Sequence, residues 1–454
     1  MSILLRYDKG TLLIRGEKPP FGVWDERVQA YRTFGMHYGD IRRWGEGFPP
    51  GAFDDQALEP LPAPVLELAE KLRPYQVEAV EQWQRSGMRG VIVLPTAAGK
   101  THVALEAIRA VSRSTLVVVP TLDLVDQWVK KLSDVFRSRV GRIGGGAFQI
   151  EPLTVSTYDS ALLRAESLGN RFEFLVVDEV HHLPSASFRH IAEMYLAPYR
   201  LGLTATYERA DLLHQELEAL FGGKIFERGY EELTDFLADF SLVKLPVELA
   251  PDELTEYESA REVFTNYLRR HRMRFRGPWD FESFIRRSWN PEGREALLSW
   301  RKAREIAFNP RAKVEAVRTI LSRHRGERTI IFTEETAQAY LLARELLAPC
   351  LTYRTEEEER RETLARFKDG RSRILVTSRV LDEGVDVPEA SIAIVLSGSG
   401  SPRQFRQRLG RILRPGPGKR AVLYEVLSAD TTEMGTSRRR KRGMGAVLAA
   451  TADR

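Results

Sequence analysis

Four side chains carry the chemistry this sequence offers first: Lys100 and Thr101, which close Leu94-Pro95-Thr96-Ala97-Ala98-Gly99-Lys100-Thr101, and Asp178 and Glu179, which open Asp178-Glu179-Val180-His181. A lysine can neutralise phosphate charge, a hydroxyl and an aspartate can hold Mg²⁺, and a glutamate can orient a water. Together these are the parts of a nucleotide hydrolase. The first group stands between the apolar run Val91-Ile92-Val93-Leu94 and a helix-like stretch from His102. That strand–loop–helix order lets backbone N–H groups and a helix N-terminus face an anion. The second group follows Phe174-Leu175-Val176-Val177, which sets both carboxylates at the C-terminal end of a buried strand. A chance Gly-Lys-Thr and a solvated acidic pair are the bland alternatives. Two motifs in the expected order, each behind an apolar strand, disfavour them, and ATP is the expected substrate.

Such residues need sheets to hold them. From residue 72 to about 226, apolar strands alternate with amphipathic helices, the sign of a parallel α/β sheet. The rhythm lapses from about 249 to 308, a helical, charged and arginine-rich stretch, then resumes at 329–332, 374–376 and 392–395. Near the start, residues 3–15 alternate about Asp8-Lys9-Gly10, a hairpin signal. An aromatic, glycine-rich module follows, with Trp24, Tyr31, Phe34, Tyr38 and Trp44, and then a Pro/Gly-rich stretch that reads as a linker. The expected division is an N-terminal domain 1–55, a linker 56–70, an α/β domain 71–242, a helical segment 243–310, a second α/β domain 311–430 and a basic tail 431–454.

At 454 residues, 43% hydrophobic and 29% charged, the chain can bury two or three cores. No apolar run approaches a bilayer span and no signal-peptide pattern follows Met1, so a cytoplasmic location without membrane attachment is expected. The single Cys350 excludes an intramolecular disulfide and a cysteine-based zinc site, and reads as a small core residue. The net charge of +5 is modest, but arginines bunch at 268–276 and 437–442. With Phe275 and Trp279 interleaved, the first cluster reads as a nucleic-acid surface. The second reads as a phosphate-binding run or, alternatively, a solvated tail.

Further motifs fall in a definite order: Leu72-Arg73-Pro74-Tyr75-Gln76, Pro120-Thr121, Thr204-Ala205-Thr206, the run from Thr377 to Pro388, and Gln407-Arg408-Leu409-Gly410-Arg411-Ile412-Leu413-Arg414. The series resembles superfamily 2 helicases. More narrowly it resembles the XPB type in its short archaeal form, through Asp178 to Pro184, Ser397 to Ser401, the arginine-rich tail and the N-terminal module. The resemblance runs from near residue 3 to near residue 442. It implies two RecA-like parallel-sheet domains, a small N-terminal domain similar to the family's damage-recognition domain, and a helical thumb-like insertion. It also implies an ATP- and Mg²⁺-dependent DNA helicase or translocase, moving 3′ to 5′ and opening duplex in nucleotide excision repair beside a structure-specific nuclease. A duplex translocase without strand separation, and an ATP-switched scaffold for that nuclease, are the alternatives.

Carried over by residue, the resemblance assigns Thr96, Ala97, Ala98, Gly99 and Lys100 to the phosphates, Thr101 and Asp178 to Mg²⁺, and Glu179 to the attacking water. Arg73 and Gln76 fall to the adenine end, and Gly384 and Asp386 to the nucleotide. Gln407, Arg411 and Arg414 would reach the γ-phosphate from the second domain, the arginines one helical turn apart. His181, Thr204 and Thr206 would couple nucleotide to DNA. Thr121, Gly145, Thr157, Arg209, Arg270, Arg274, Thr333 and Thr377 would contact DNA, with Arg270 and Arg274 sharing a helix face and Arg272 turned away. For Gly144-Gly145-Gly146 an ordinary turn is the alternative. Two departures stand out: Ala97 replaces a glycine, and Arg209-Ala210-Asp211 stands where the family carries Arg-Glu-Asp, which puts the strength of unwinding in doubt.

Overall fold

The computed structural model describes residues 3–64, 71–96, 98–209, 211–229, 232–233, 239–274, 284–286, 289–378, 390–397 and 420–440. They fall into two compact units, one ending at Leu233 and the next beginning at Thr234.

The first unit opens with strands β1 (Ile3–Asp8), β2 (Thr11–Arg15), β3 (Val23–Asp25), β4 (Ala30–Phe34) and β5 (Phe53–Gln56), in the order β3-β4-β2-β1-β5, with helix α1 (Tyr38–Gly45) before β5. The expected hairpin forms: Asp8 faces Thr11, and Lys9 and Gly10 turn the chain with φ of +46° and +86°. Two positive φ values make the tight turn that matches strand twist. This small sheet packs on the larger domain. Tyr7 donates its hydroxyl to the Ala165 carbonyl at 2.7 Å, and a Cβ on Gly10 would meet Met194 at 2.4 Å. The expected linker is docked at its start rather than free, because Glu59 and Leu61 donate their N–H groups to the carbonyls of Asn170 and Arg171, each at 3.0 Å. Proline stops regular structure there without stopping backbone pairing.

The larger domain follows α2 (Pro74–Arg85). Its elements run β6 (Arg89–Val93), α3 (Lys100–Val111), β7 (Thr115–Val119), α4 (Leu122–Phe136), β8 (Gly141–Gly144), β9 (Ala147–Gln149), β10 (Leu153–Thr157), α5 (Tyr158–Leu163), α6 (Ala165–Leu168), β11 (Phe174–Asp178), α7 (Arg189–Met194), β12 (Tyr199–Thr204), α8 (Glu216–Phe221) and β13 (Lys224–Glu227). The sheet order is β13-β6-β12-β11-β7-β10-β8-β9, parallel apart from the β8–β9 hairpin. Strands β7, β10 and β11 are buried along their whole length, as expected of strands covered on both faces. Every loop at the carboxyl edge of such a sheet is free to carry function.

The second unit comprises β14 (Asp239–Val247), α9 (Pro251–Arg270), α10 (Pro291–Phe308), α11 (Arg311–Arg323), β15 (Thr329–Thr333), α12 (Thr336–Leu346), β16 (Cys350–Leu351), α13 (Glu357–Lys368), β17 (Ile374–Ser378), β18 (Ile392–Val395), β19 (Arg420–Ser428) and α14 (Thr432–Arg440). Its six parallel strands are ordered β14-β19-β18-β15-β17-β16. Three expectations are corrected here. Residues 239–247, which the sequence reading split between the first α/β domain and the helical segment, form an edge strand of this sheet. The start of the expected basic tail is a packed helix, with buried Ser437 donating to Glu425 at 2.8 Å. Cys350 is half-buried in the edge strand, where desolvation pushes its thiol up to about 11.

A further correction concerns the arginine-rich helix, which ends at Arg270 instead of continuing through Arg274. Arg272 takes a left-handed φ of +49°, and the N–H groups of Arg272 and Met273 return to the carbonyls of Arg269 and Leu268 at 3.1 and 2.9 Å. That is a Schellman stop, closed by Met273 and Leu268 packing in one apolar cluster. Glycine marks such stops in a sequence; arginine hides this one. The shared face of Arg270 and Arg274 therefore disappears. Phe275 and Trp279 lie outside the described residues.

Candidate functional site

The parallel sheet of the first unit lines up the functional segments along its carboxyl edge in strand order. The phosphate loop follows β6, Thr204 ends β12, Asp178 ends β11, Thr121 follows β7, Thr157 ends β10 and Gly145 follows β8. The segments expected to handle the nucleotide thus occupy one half of the edge and the expected DNA contacts the other.

At the nucleotide end, Gly99 precedes α3 with φ of +79°, and a Cβ there would sit 2.4 Å from Gln76 Nε2. Glycine is required both by the backbone and by this close approach. Lys100 and Thr101 are the first two residues of α3, so an anion at this helix N-terminus would meet the lysine as well. Ala98 is buried beneath the loop and Thr96 is half-buried, while Ala97 lies outside the described residues. Gln76 is buried, accepts from the Arg73 N–H at 2.9 Å and donates to the Ala98 carbonyl at 3.0 Å. Tyr75 donates to the same carbonyl at 2.8 Å, and Arg73 Nη1 reaches Tyr75 at 3.3 Å. Arg73, Tyr75 and Gln76 therefore brace the phosphate loop.

Lys100 Nζ lies 3.9 Å from Glu179 Oε1. Burial, and then the charge of Glu179, push the Asp178 carboxyl up to about 6, with Lys100 opposing. Positive charge is what this pair lacks, and its hard oxygen donors suit Mg²⁺, which is commonly held through one or two carboxylates plus substrate phosphates. Among the described residues no group of three or more His, Cys, Asp or Glu side chains could hold a metal by itself. Glu179 has φ of +49°, a left-handed conformation rare outside glycine and often found at functional positions. From there its Oε2 lies 3.4 Å from His181 Nδ1.

The three coupling residues come together. His181 Nδ1 is 2.8 Å from Thr204 Oγ1, and that hydroxyl donates to the Thr206 carbonyl at 2.8 Å. Thr204 has one proton, already directed at Thr206, so His181 must carry its proton on Nδ1 and donate it. Arg209 Nη1 donates to the His181 carbonyl at 2.6 Å, and the rest of its guanidinium pairs with Asp211 at 2.6 Å. Arg209 thus steadies the coupling segment in this structure instead of offering a free cation to DNA.

At the other end, Thr121 caps α4 by accepting from the Leu124 N–H at 3.4 Å, and Thr157 caps α5 by accepting from Ser160 at 3.2 Å. The glycine triplet turns between β8 and β9 with φ of +135°, +59° and +84°. A Cβ on Gly144 would lie 3.2 Å from both Leu122 and Thr157 side chains, so three expected DNA segments meet at one place. In the second unit Thr333 ends β15 and Thr377 is the penultimate residue of β17, both fully buried, and the Thr333 hydroxyl donates internally to the Glu335 carbonyl at 3.1 Å. Both are expected to contact DNA, but their side chains, buried near the carboxyl ends of central strands, do not reach solvent. Arg270 is exposed and pairs with Glu292 at 3.1 Å. Gly384, Asp386, Gln407, Arg411, Arg414 and Ala210 lie outside the described residues.

Sequence reasoning missed two residues that hold the acidic pair, one at a carboxylate and one at the backbone. Trp128, on α4, donates its indole N–H to Asp178 Oδ2 at 3.1 Å. Tyr158, on α5, donates to the carbonyls of Asp178 and Glu179 at 3.0 and 3.1 Å. Trp128 repeats with Val125 and Leu132 on a buried helical stripe, so its spacing reads only as core.

The family of the xeroderma pigmentosum group B helicase damage recognition domain matches residues 5–46. That of the res subunit of type III restriction enzymes matches residues 69–209, and the helicase conserved C-terminal domain matches 312–416. The chain is 40% identical to the DNA 3′-5′ translocase XPB2 of Sulfurisphaera tokodaii over 97% of its own length and 100% of the relative's. It is 29% identical to the DNA 3′-5′ helicase XPB of Mycobacterium tuberculosis, spanning 82% of itself but 63% of that protein. It is 26% identical to the general transcription and DNA repair factor IIH subunit XPB/SSL2 of Saccharomyces cerevisiae, spanning 44% of that protein. The helicase domain of Hef from Pyrococcus furiosus shares the fold, with a TM-score of 0.56 at 18% identity over 82% of this chain and 98% of that one. No helix among the described residues is long and apolar enough to cross a membrane. With a relative of the same length at 40% identity, and with the damage-recognition and two helicase regions in order, the chain belongs to the XPB family of superfamily 2 helicases.

Proposed function

We propose that this chain is a DNA-stimulated ATPase that translocates 3′ to 5′ and opens duplex in nucleotide excision repair, using Mg²⁺. The observation that supports the reading best is the order along one sheet edge: phosphate loop, coupling threonine and acidic pair on one side, Thr121, Thr157 and Gly145 on the other. Lys100 neutralises phosphate charge, Thr101 and Asp178 hold the metal, and Glu179 orients or deprotonates the attacking water. Held by Thr101 and Asp178, Mg²⁺ would supply positive charge to offset the charge that develops during transfer. Gln407, Arg411 and Arg414 are assigned to the γ-phosphate, Gly384 and Asp386 to the nucleotide, and Gln76 with Arg73 to the adenine end. Arg414→Ala should keep nucleotide affinity and lose turnover; loss of affinity with intact turnover would make it a docking residue.

ATP hydrolysis measured with single-stranded DNA, duplex DNA and RNA tests this reading. Stimulation by DNA is expected, and hydrolysis indifferent to all three polymers would refute it. Ala210 in place of a glutamate favours a second reading, duplex translocation without strand separation. A strand-displacement assay beside a triplex-displacement assay separates the two. A structure-specific nuclease is the proposed protein partner, as the short archaeal form suggests.

DNA grip by the arginine-rich segment should be electrostatic and independent of sequence. Arg270→Ala and Arg274→Ala should each shrink the salt slope of binding by roughly 0.7–0.9. Because α9 stops at Arg270, Arg272 has no helical face to turn it away, and its substitution is no longer expected to matter least. An unchanged salt slope when Arg270, Arg272 and Arg274 are all replaced by alanine, with nuclease binding lost, would make this a protein-docking surface.

A further inference from the structure

The carboxylates that end β11 stand beside the β7 and β10 segments assigned to DNA, and two aromatic side chains cross that boundary. Trp128 sits seven residues after Thr121, on the helix that Thr121 caps, and Tyr158 immediately follows Thr157. Both rings are buried, with 2% exposure each, and each polar end is aimed at the acidic pair. The indole N–H can only donate, and it donates to Asp178 Oδ2 at 3.1 Å while the Glu179 N–H takes Oδ1 at 3.0 Å. The two oxygens of Asp178 are thereby oriented, one by α4 and one by its own chain. Tyr158 holds the backbone carbonyls on either side of the Glu179 Cα, those of Asp178 and Glu179, at 3.0 and 3.1 Å. That grip bears on the segment where Glu179 keeps its left-handed backbone.

We infer that Trp128 and Tyr158 are positioning residues that transmit DNA engagement to the hydrolytic carboxylates: Trp128 sets the rotation of the Asp178 carboxylate, and Tyr158 fixes the backbone that aims Glu179. This rests on the ATPase reading above. Displacement of α4 or α5 by a bound strand moves a donor directly attached to the acidic pair, with no intervening side chain. The His181–Thr204 contact lies on the other side of β11, toward β12, and is a separate connection.

Two variants of the full chain test it, Trp128→Phe, which removes the N–H, and Tyr158→Phe, which removes one oxygen and keeps the ring. The readouts are DNA-stimulated kcat, the Mg²⁺ concentration for half-maximal rate, and affinity for a non-hydrolysable Mg·ATP analogue with and without DNA. DNA affinity and Tm are followed alongside. With DNA, kcat should fall roughly tenfold in each, the scale of one hydrogen bond to a charged or strained site. For Trp128→Phe the Mg²⁺ requirement should rise, while for Tyr158→Phe it should stay near that of the parent. In both, the factor by which DNA changes analogue affinity should shrink toward one, with DNA affinity itself held. Variants that keep the parent's kcat and coupling factor overturn the inference. So does a loss of DNA affinity, analogue affinity and Tm together in the isosteric Tyr158→Phe, since that is the mark of packing alone. A parent protein that hydrolyses no ATP with or without DNA fails the ATPase reading instead.

Discussion

Glu179→Gln should bind ATP and stop turning it over, with DNA-stimulated hydrolysis down by about 10²–10⁴-fold, the usual contribution of a positioned general base. The amide keeps the size of the carboxylate but takes no proton from water. It also removes the negative charge beside Asp178, so the Asp178 carboxyl should fall back from its raised value and any metal there should be retained. Lys100→Ala should fail differently. Its ammonium faces the phosphate loop from the first position of α3, 3.9 Å from Glu179, and its loss removes charge that ATP needs in the ground state as well as during transfer. Nucleotide affinity should therefore drop along with turnover, while in Glu179→Gln affinity stays or tightens. Equilibrium binding of a fluorescent ATP analogue, paired with single-turnover hydrolysis, separates the two. Normal turnover in either variant removes the assignment of this site.

The parts that local pattern could carry were legible. Apolar runs such as 174–177 and 116–119 had the length and flanks of central parallel strands and became them, and the Lys9-Gly10 turn was readable because two positive φ values suit a two-residue hairpin. The phosphate loop and acidic pair were legible because their residue types are tied to one chemistry. What stayed hidden depends on distant pairing. Residues 239–247 join a strand more than 170 positions away, and nothing local distinguishes that strand from a helix approach. The Schellman stop at Arg270 was hidden because arginine stands where glycine normally signals it. The burial of Thr333 and Thr377 was hidden since only the sheet order reveals that their strands are central. Trp128 was invisible as a functional residue because a donor on a buried apolar stripe looks like packing until its partner is known.

Breaking the ion pair between Lys313 and Glu433 should cost the second unit about 3–5 kcal/mol, the range for an uncompensated buried charge. The two side chains are 1% and 0% exposed and meet at 2.7 Å across 120 residues of sequence. Lys313 Nζ also donates to the Leu396 carbonyl at 2.6 Å, and Glu433 Oε2 accepts the Ser428 N–H at 2.9 Å. The pair therefore ties α11 to the residue after β18, to the end of β19 and to the first turn of α14, elements that no local pattern joins. Lys313→Met leaves the buried Glu433 without this cation, and Glu433→Leu leaves the buried ammonium without this carboxylate. The double variant removes both charges and should be far less damaging than the sum of the singles, although the Leu396 carbonyl and the Ser428 N–H lose these partners. Urea denaturation of all four proteins, followed through the transition of the second unit, gives the coupling energy directly. If Lys313→Met shifts that transition by less than about 1 kcal/mol, the pair is no stronger than an exposed surface bridge and water must reach it.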